Sequence, residues 1–138
     1  MFKPYHRYKP PGANLTNANG AVDTVEWWNI AKDDILSYPG IAYRQYASPI
    51  NDNMEILKDF VFKSESISRT FLEVLNDLLQ LPSGLLSARH STEERSTCEV
   101  TIIRNPGSEN PVPMTDEQLA IGAHTDFGSL VRSCLSCF

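Results

Sequence analysis

The apolar positions of the chain form one long helical pattern. Between Ile50 and Leu79 apolar side chains recur every three or four residues, which is the spacing of one face of an α-helix. Ser48 and Pro49 are typical of a helix start, and Pro82 ends the pattern. The pattern predicts one scaffold helix over these residues, with a break near residues 63–66 as an alternative. Its core-facing side is predicted to consist of Leu57, Phe60, Val61, Ile67, Phe71, Leu75, Leu78 and Leu79.

Two shorter segments have the pattern of β-strands. Residues 98–104 are β-branched at four positions and are followed by Asn105 and a Pro-Gly pair, which favours a strand that ends in a turn. Residues 23–30 alternate so that Val25 and Trp27 share one face. Little regular structure is expected in the Pro-, Gly- and Asn-rich segment before them. His90 is expected to be a surface histidine in a polar loop. Strands together with a long helix predict an α+β fold.

Composition narrows the class of protein. The chain has 138 residues, of which 41% are hydrophobic and 21% are charged, as in a soluble globular domain. A net charge of −5 argues against nucleic acid or an anionic membrane as a partner. The three cysteines and the lack of an apolar leader favour reduced thiols in a cytoplasmic protein. We therefore expect neither a nucleic acid nor a membrane as a partner, and the sequence does not specify the oligomeric state.

The candidate chemistry lies in residues 121–130, which read Ile-Gly-Ala-His-Thr-Asp-Phe-Gly-Ser-Leu. In an extended segment residues i and i+2 point to the same side, so His124 and Asp126 are predicted to face one point. An imidazole nitrogen and a carboxylate oxygen, with a second histidine, form the facial triad that binds Fe(II) in mononuclear oxygenases. Gly122 and Gly128 suit close backbone approach on either side of this pair.

This segment closely resembles the metal-ligand strand of the isopenicillin-N-synthase-like, Fe(II)/2-oxoglutarate-dependent dioxygenases, and the resemblance extends from about Lys9 to about Leu130. It implies an incomplete double-stranded β-helix (jelly-roll) core with a long packing helix. It also implies that His124 and Asp126 bind Fe(II), with 2-oxoglutarate as co-substrate. The implied function is a dioxygenase, an oxidoreductase that oxidises a small organic substrate of the kind found in secondary metabolism.

The sequence departs from the family at three places. Asn105 stands where the family usually has a tyrosine, no histidine follows His124, and no Arg-x-Ser clamp for 2-oxoglutarate follows either. The resemblance therefore predicts a form truncated at its C-terminal end. The expected domains are a remnant of the N-terminal region (1–47), a helical scaffold (48–97), the first part of the jelly roll (98–130) and a non-family tail (131–138). One hypothesis is that the tail derives from an unspliced intron or a shifted frame.

Three alternatives remain beside an active dioxygenase. The chain is a catalytically inactive fragment or an interaction module if strand edges and a helix face stay uncovered. Cys134 and Cys137, with Cys98 and His124, have the residue types of a zinc site. The same two cysteines have the spacing of a redox dithiol, but no second Cys-x-x-Cys supports either use.

Overall fold

The computed structural model describes residues 8–40, 42–106, 120–122, 124–125, 128 and 130–131. The chain divides into two compact units, one formed by Met1–Ile30 with Glu99–Phe138 and the other by Ala31–Cys98. The predicted jelly-roll strands after Arg104 fall largely outside the described residues, so the jelly roll stays a prediction. No helix in the described part of the chain combines the length and the apolar character needed to cross a membrane.

The first unit contains a three-stranded sheet with strand order β1-β2-β3. Strand β1 (Tyr8–Lys9) pairs antiparallel with β2 (Glu26–Ala31), which is flanked on its other side by β3 (Glu99–Arg104). Thr101 donates to Asn29 at 2.9 Å, and Arg104 donates to Glu26 at 2.8 Å. These two contacts run in opposite chain directions, so β3 is also antiparallel to β2. The two strands predicted from sequence are confirmed, with shifts of a few residues.

The second unit contains four helices: α1 (Lys32–Ser37), α2 (Ser48–Asn51), α3 (Met54–Leu78) and α4 (Leu85–Ala88). Helix α3 packs against α1 and α4. The predicted long helix is thus present, but it is preceded by the separate α2. It also runs unbroken through residues 63–66, where the pairs Asp59–Lys63 and Glu65–Arg69 connect successive turns.

The predicted core face of α3 is wrong for most of its members. Val61 is buried and Leu57 is half-buried, whereas the other six residues of the predicted face are exposed. The buried face is centred instead on Met54, Val61, Leu72 and Asn76. Apolar residues occupy a wider arc of α3 than one packed face needs, so periodicity alone does not identify which part of the arc is covered.

A buried carboxylate organises the polar interior of the second unit. Asp34 is 2% exposed, and the Tyr46 hydroxyl donates to its Oδ2 atom at 2.7 Å. The same hydroxyl accepts from the Ala31 amide at 3.1 Å, and the Tyr43 amide donates to Asp34 Oδ1 at 2.8 Å. An Arg44 nitrogen lies 3.6 Å from Oδ2. Burial is the main cause that raises the pKa of Tyr46, so the hydroxyl stays a donor.

We expect Tyr46→Phe to lower the free energy of unfolding by about 1–3 kcal/mol, because it leaves a buried carboxylate oxygen and a buried amide without their partner. Urea denaturation measures the change. Tyr43→Phe is the matched control: its side chain is 73% exposed, and a shift within about 0.5 kcal/mol is expected. Equal shifts for the two variants would contradict the assigned role of the Tyr46 hydroxyl.

Candidate functional site

A hairpin formed by residues 14–23 supports the segment that carries the predicted ligands. Leu15 and Val22 form an antiparallel bridge, and the Thr16 amide donates to the Ala21 carbonyl at 2.7 Å. The Asn-Gly turn signal of the sequence lies at the tip of this hairpin. The segment expected to have little regular structure therefore folds into a turn with a defined register.

An ion pair anchors the hairpin to the sheet. Lys9 forms a salt bridge with Asp23, which is 3% exposed, and the Lys9 Nζ atom donates to the Val25 carbonyl at 2.6 Å. The Lys9 ammonium also lies 4.3 Å from the Trp27 ring centroid. Burial by itself raises the pKa of Asp23, but Lys9 and the Gly12 amide, which donates to Oδ1 at 2.8 Å, together hold that pKa below its ordinary value.

The segment that carries the predicted ligands lies against this hairpin. The Thr24 amide donates to the Ala120 carbonyl at 3.3 Å. A Cβ atom built on Gly122 would lie 3.3 Å from both the Cα atom and the carbonyl oxygen of Thr16, and 3.5 Å from the Leu15 carbonyl oxygen. These neighbours are backbone atoms, which cannot move aside as a flexible side chain does. Glycine at 122 is therefore what permits the two segments to approach so closely.

His124 is exposed, and its Nδ1 atom lies 2.9 Å from the Gly122 carbonyl oxygen. A carbonyl only accepts hydrogen bonds, so this contact favours the tautomer with the proton on Nδ1. The lone pair is then on Nε2, the arrangement found in histidines that bind metals through Nε2. Asp126, the other predicted ligand, lies outside the described residues, so the pairing of the two side chains stays a prediction.

Thr24 connects the segment that carries the predicted ligands to Asn105, which directly follows strand β3. Its hydroxyl donates to Asn105 Oδ1 at 3.4 Å, while its amide contacts Ala120. Asn105 therefore lies close to the start of the segment that carries the predicted ligands. Sequence reasoning did not identify Thr24, because a threonine before a strand has no special signature.

A polar cluster connects the three strands of the sheet. Tyr8 and Arg104 both donate to the Glu26 carboxylate. The Tyr8 hydrogen bond and then that of Arg104 hold the pKa of Glu26 below its ordinary value, and the hydrogen bond to Glu26 raises the pKa of Tyr8. Tyr8 also packs on Trp28 with ring centroids 4.9 Å apart. Both tryptophans of β2 thus make packing contacts, Trp28 with Tyr8 and Trp27 with Lys9.

The described residues do not assemble the alternative metal sites. Among them, no group of three His, Cys, Asp or Glu side chains converges on a point that could hold a metal ion. Cys98 is exposed with a free thiol, and Cys134 and Cys137 lie outside the described residues. His90 is half-buried rather than a surface residue, and its Nδ1 atom lies 2.7 Å from the Leu86 carbonyl oxygen at the end of α4.

Comparison with protein-family models, with curated proteins and with solved structures finds no match to the chain.

We expect Gly122→Ala to displace the ligand segment from the hairpin and to release the His124 ring from its carbonyl partner. The tautomer of the neutral His124 ring, read from long-range proton–nitrogen NMR correlations, should change from protonated Nδ1 toward a mixture. Gly128→Ala is the matched control, since its Cβ would have ordinary contacts at 3.5 and 3.8 Å. An unchanged tautomer in Gly122→Ala would show that the close backbone approach does not orient the ring.

Proposed function

We propose that the chain is a non-haem Fe(II)- and 2-oxoglutarate-dependent oxidoreductase of the isopenicillin-N-synthase-like family. The observation that carries the proposal is the contact between His124 Nδ1 and the Gly122 carbonyl oxygen, which lies inside the segment that resembles the family. Metal-binding histidines typically donate their second ring nitrogen to a carbonyl or carboxylate, which fixes both tautomer and orientation.

In this proposal His124 and Asp126 hold the iron, and the chain's own residues position and orient the metal. The charge of Asp126 offsets part of the dipositive charge, and a hard oxygen beside an imidazole nitrogen suits Fe(II). The Gly122 carbonyl keeps the proton on Nδ1, so metal binding does not require deprotonation of Nε2 in the neutral ring. When bound together, the iron and the 2-oxo acid supply the oxidising chemistry that the side chains lack. A third ligand is not identifiable in this sequence.

We expect His124→Ala to weaken Co(II) binding by at least about 10-fold, because a direct ligand should matter no less than the outer partners that change affinity 10- to 100-fold. Co(II) substitutes for Fe(II) without air oxidation, and its visible absorption reports coordination. His90→Ala is the matched control and should bind as the unchanged chain does. Equal binding by the two variants, or a chain that does not bind Co(II), would contradict the proposal.

A catalytically inactive fragment or interaction module remains the second candidate, and the exposed apolar residues of α3 favour it. Turnover separates the two functions. Succinate formation from 2-oxoglutarate, with Fe(II) and ascorbate, by this chain supports the enzyme. If succinate forms only with a longer version that contains a downstream histidine, this chain is inactive, and its His124–Asp126 pair is one part of a metal site.

A further inference from the structure

The tip of the hairpin at residues 14–23 carries a chemically reactive pair, Asn19 followed by Gly20. No other Asn-Gly pair occurs in the sequence. A backbone nitrogen can attack the side-chain carbonyl carbon of the asparagine before it, and glycine offers that nitrogen without a side chain to block the approach. We propose that Asn19 is a site of spontaneous deamidation, and that its isoaspartate product loosens the hairpin from the segment that carries the predicted ligands.

The structure leaves the reacting atoms of this pair accessible. Asn19 and Gly20 are both exposed, and a Cβ atom built on Gly20 would meet no heavy atom within 4 Å. Within the described part of the chain, the Asn19 carboxamide forms no hydrogen bond that would hold it away from the backbone. The Gly20 amide donates one long hydrogen bond, 3.4 Å to the Asn17 carbonyl. Little therefore has to be broken before the nitrogen attacks.

The other asparagine of the turn is held in place. The Oδ1 atom of Asn17 accepts from the amides of Asn19 at 3.0 Å and of Ala21 at 3.1 Å, so its carboxamide is part of the turn itself. The nitrogen that would attack it belongs to Ala18, whose methyl group crowds the approach. Two asparagines in one turn are thus predicted to differ in reactivity, with Asn19 the faster.

The reaction needs no reagent besides water. The Gly20 nitrogen gives up its proton and bonds to the Cγ atom of Asn19, while the Cγ–Nδ2 bond breaks and the amide nitrogen leaves as ammonia with a proton taken back from water. Water then opens the five-membered succinimide ring at either carbonyl. One opening gives aspartate, and the other gives isoaspartate, in which the main chain runs through Cβ and Cγ. No electron is transferred, and either product adds a negative charge.

Isoaspartate adds one carbon atom to the main chain inside the closure of the turn. The Thr16 amide donates to the Ala21 carbonyl at 2.7 Å, and the Ala21 amide donates to Asn17 Oδ1 at 3.1 Å. Both hydrogen bonds span the modified position, so a longer main chain there misaligns them. The backbone of Thr16 is also what approaches Gly122. Isoaspartate therefore disturbs the support of the segment that carries the predicted ligands, whereas aspartate keeps the ordinary main chain.

Incubation of the full chain at mildly alkaline pH, followed by peptide mapping with mass spectrometry, locates the modification. We expect Asn19 to convert from amide to acid at a rate proportional to the hydroxide concentration, because the attacking nitrogen must lose its proton. Asn17 in the same peptide is the internal control, and Asn19→Gln should stay unconverted because its longer side chain would have to close a six-membered ring. Conversion at Asn17 as fast as at Asn19 would overturn the proposal. So would a rate at Asn19 in the folded chain below about one-tenth of that in urea, since the hairpin would then protect the carboxamide.

Amide hydrogen exchange tests the effect on the hairpin. In the purified isoaspartate form, the amides of Thr16 and of Thr24, which donates to the Ala120 carbonyl at 3.3 Å, should exchange about 10-fold faster than in the unmodified chain, as the loss of one net hydrogen bond implies. Freshly prepared Asn19→Asp is the matched control, because it has the same charge and an ordinary main chain, and it should exchange as the unmodified chain does. Unchanged exchange in the isoaspartate form, or equal acceleration in Asn19→Asp, would overturn the assigned effect of the longer main chain. Neither experiment depends on metal binding.

Discussion

A Cβ atom on Gly122 would lie 3.3 Å from the Cα atom and the carbonyl oxygen of Thr16, so a side chain at this position requires the backbone of the two segments to move apart slightly. The candidate site depends on this contact. It places the ligand segment on a hairpin that is itself held by the Lys9–Asp23 ion pair. A carbonyl within the same segment then orients the His124 ring. An error of about 1 Å in such support is enough to weaken a metal site, which is why rigid backbone contacts matter here.

The second unit is organised differently, around buried polar groups as much as apolar ones. Asp34 is almost fully buried, and its carboxylate accepts hydrogen bonds from the Tyr46 hydroxyl and the Tyr43 amide. Lys32 is also buried, and its ammonium donates to the carbonyls of Thr92 and Glu94, so that it holds the loop after α4. These contacts connect α1 to the loop after α4.

Sequence reasoning identified the elements with strong periodic signals and failed where polar residues are buried. The strands around Trp27 and Ile102 and the long helix were predictable from β-branching and helical spacing. Helix α1 was missed because Lys32 and Asp34, two of its buried residues, look like surface positions. The hairpin that supports the His124 segment was missed because the contact between Thr16 and Gly122 joins residues more than a hundred positions apart. His124 was predicted as a ligand from local pattern and stays a prediction, and Asp126 lies outside the described residues.

The central claim is that His124 and Asp126 bind one divalent ion. Paramagnetic broadening by Mn(II), an ion of the same charge as Fe(II) that accepts the same oxygen and nitrogen ligands, tests it at single residues. At substoichiometric Mn(II) the amide signals of Gly122, Thr125 and Thr16 should broaden first, and Asp126→Asn should remove the effect. Broadening that begins elsewhere, or that persists unchanged in Asp126→Asn, would contradict the claim.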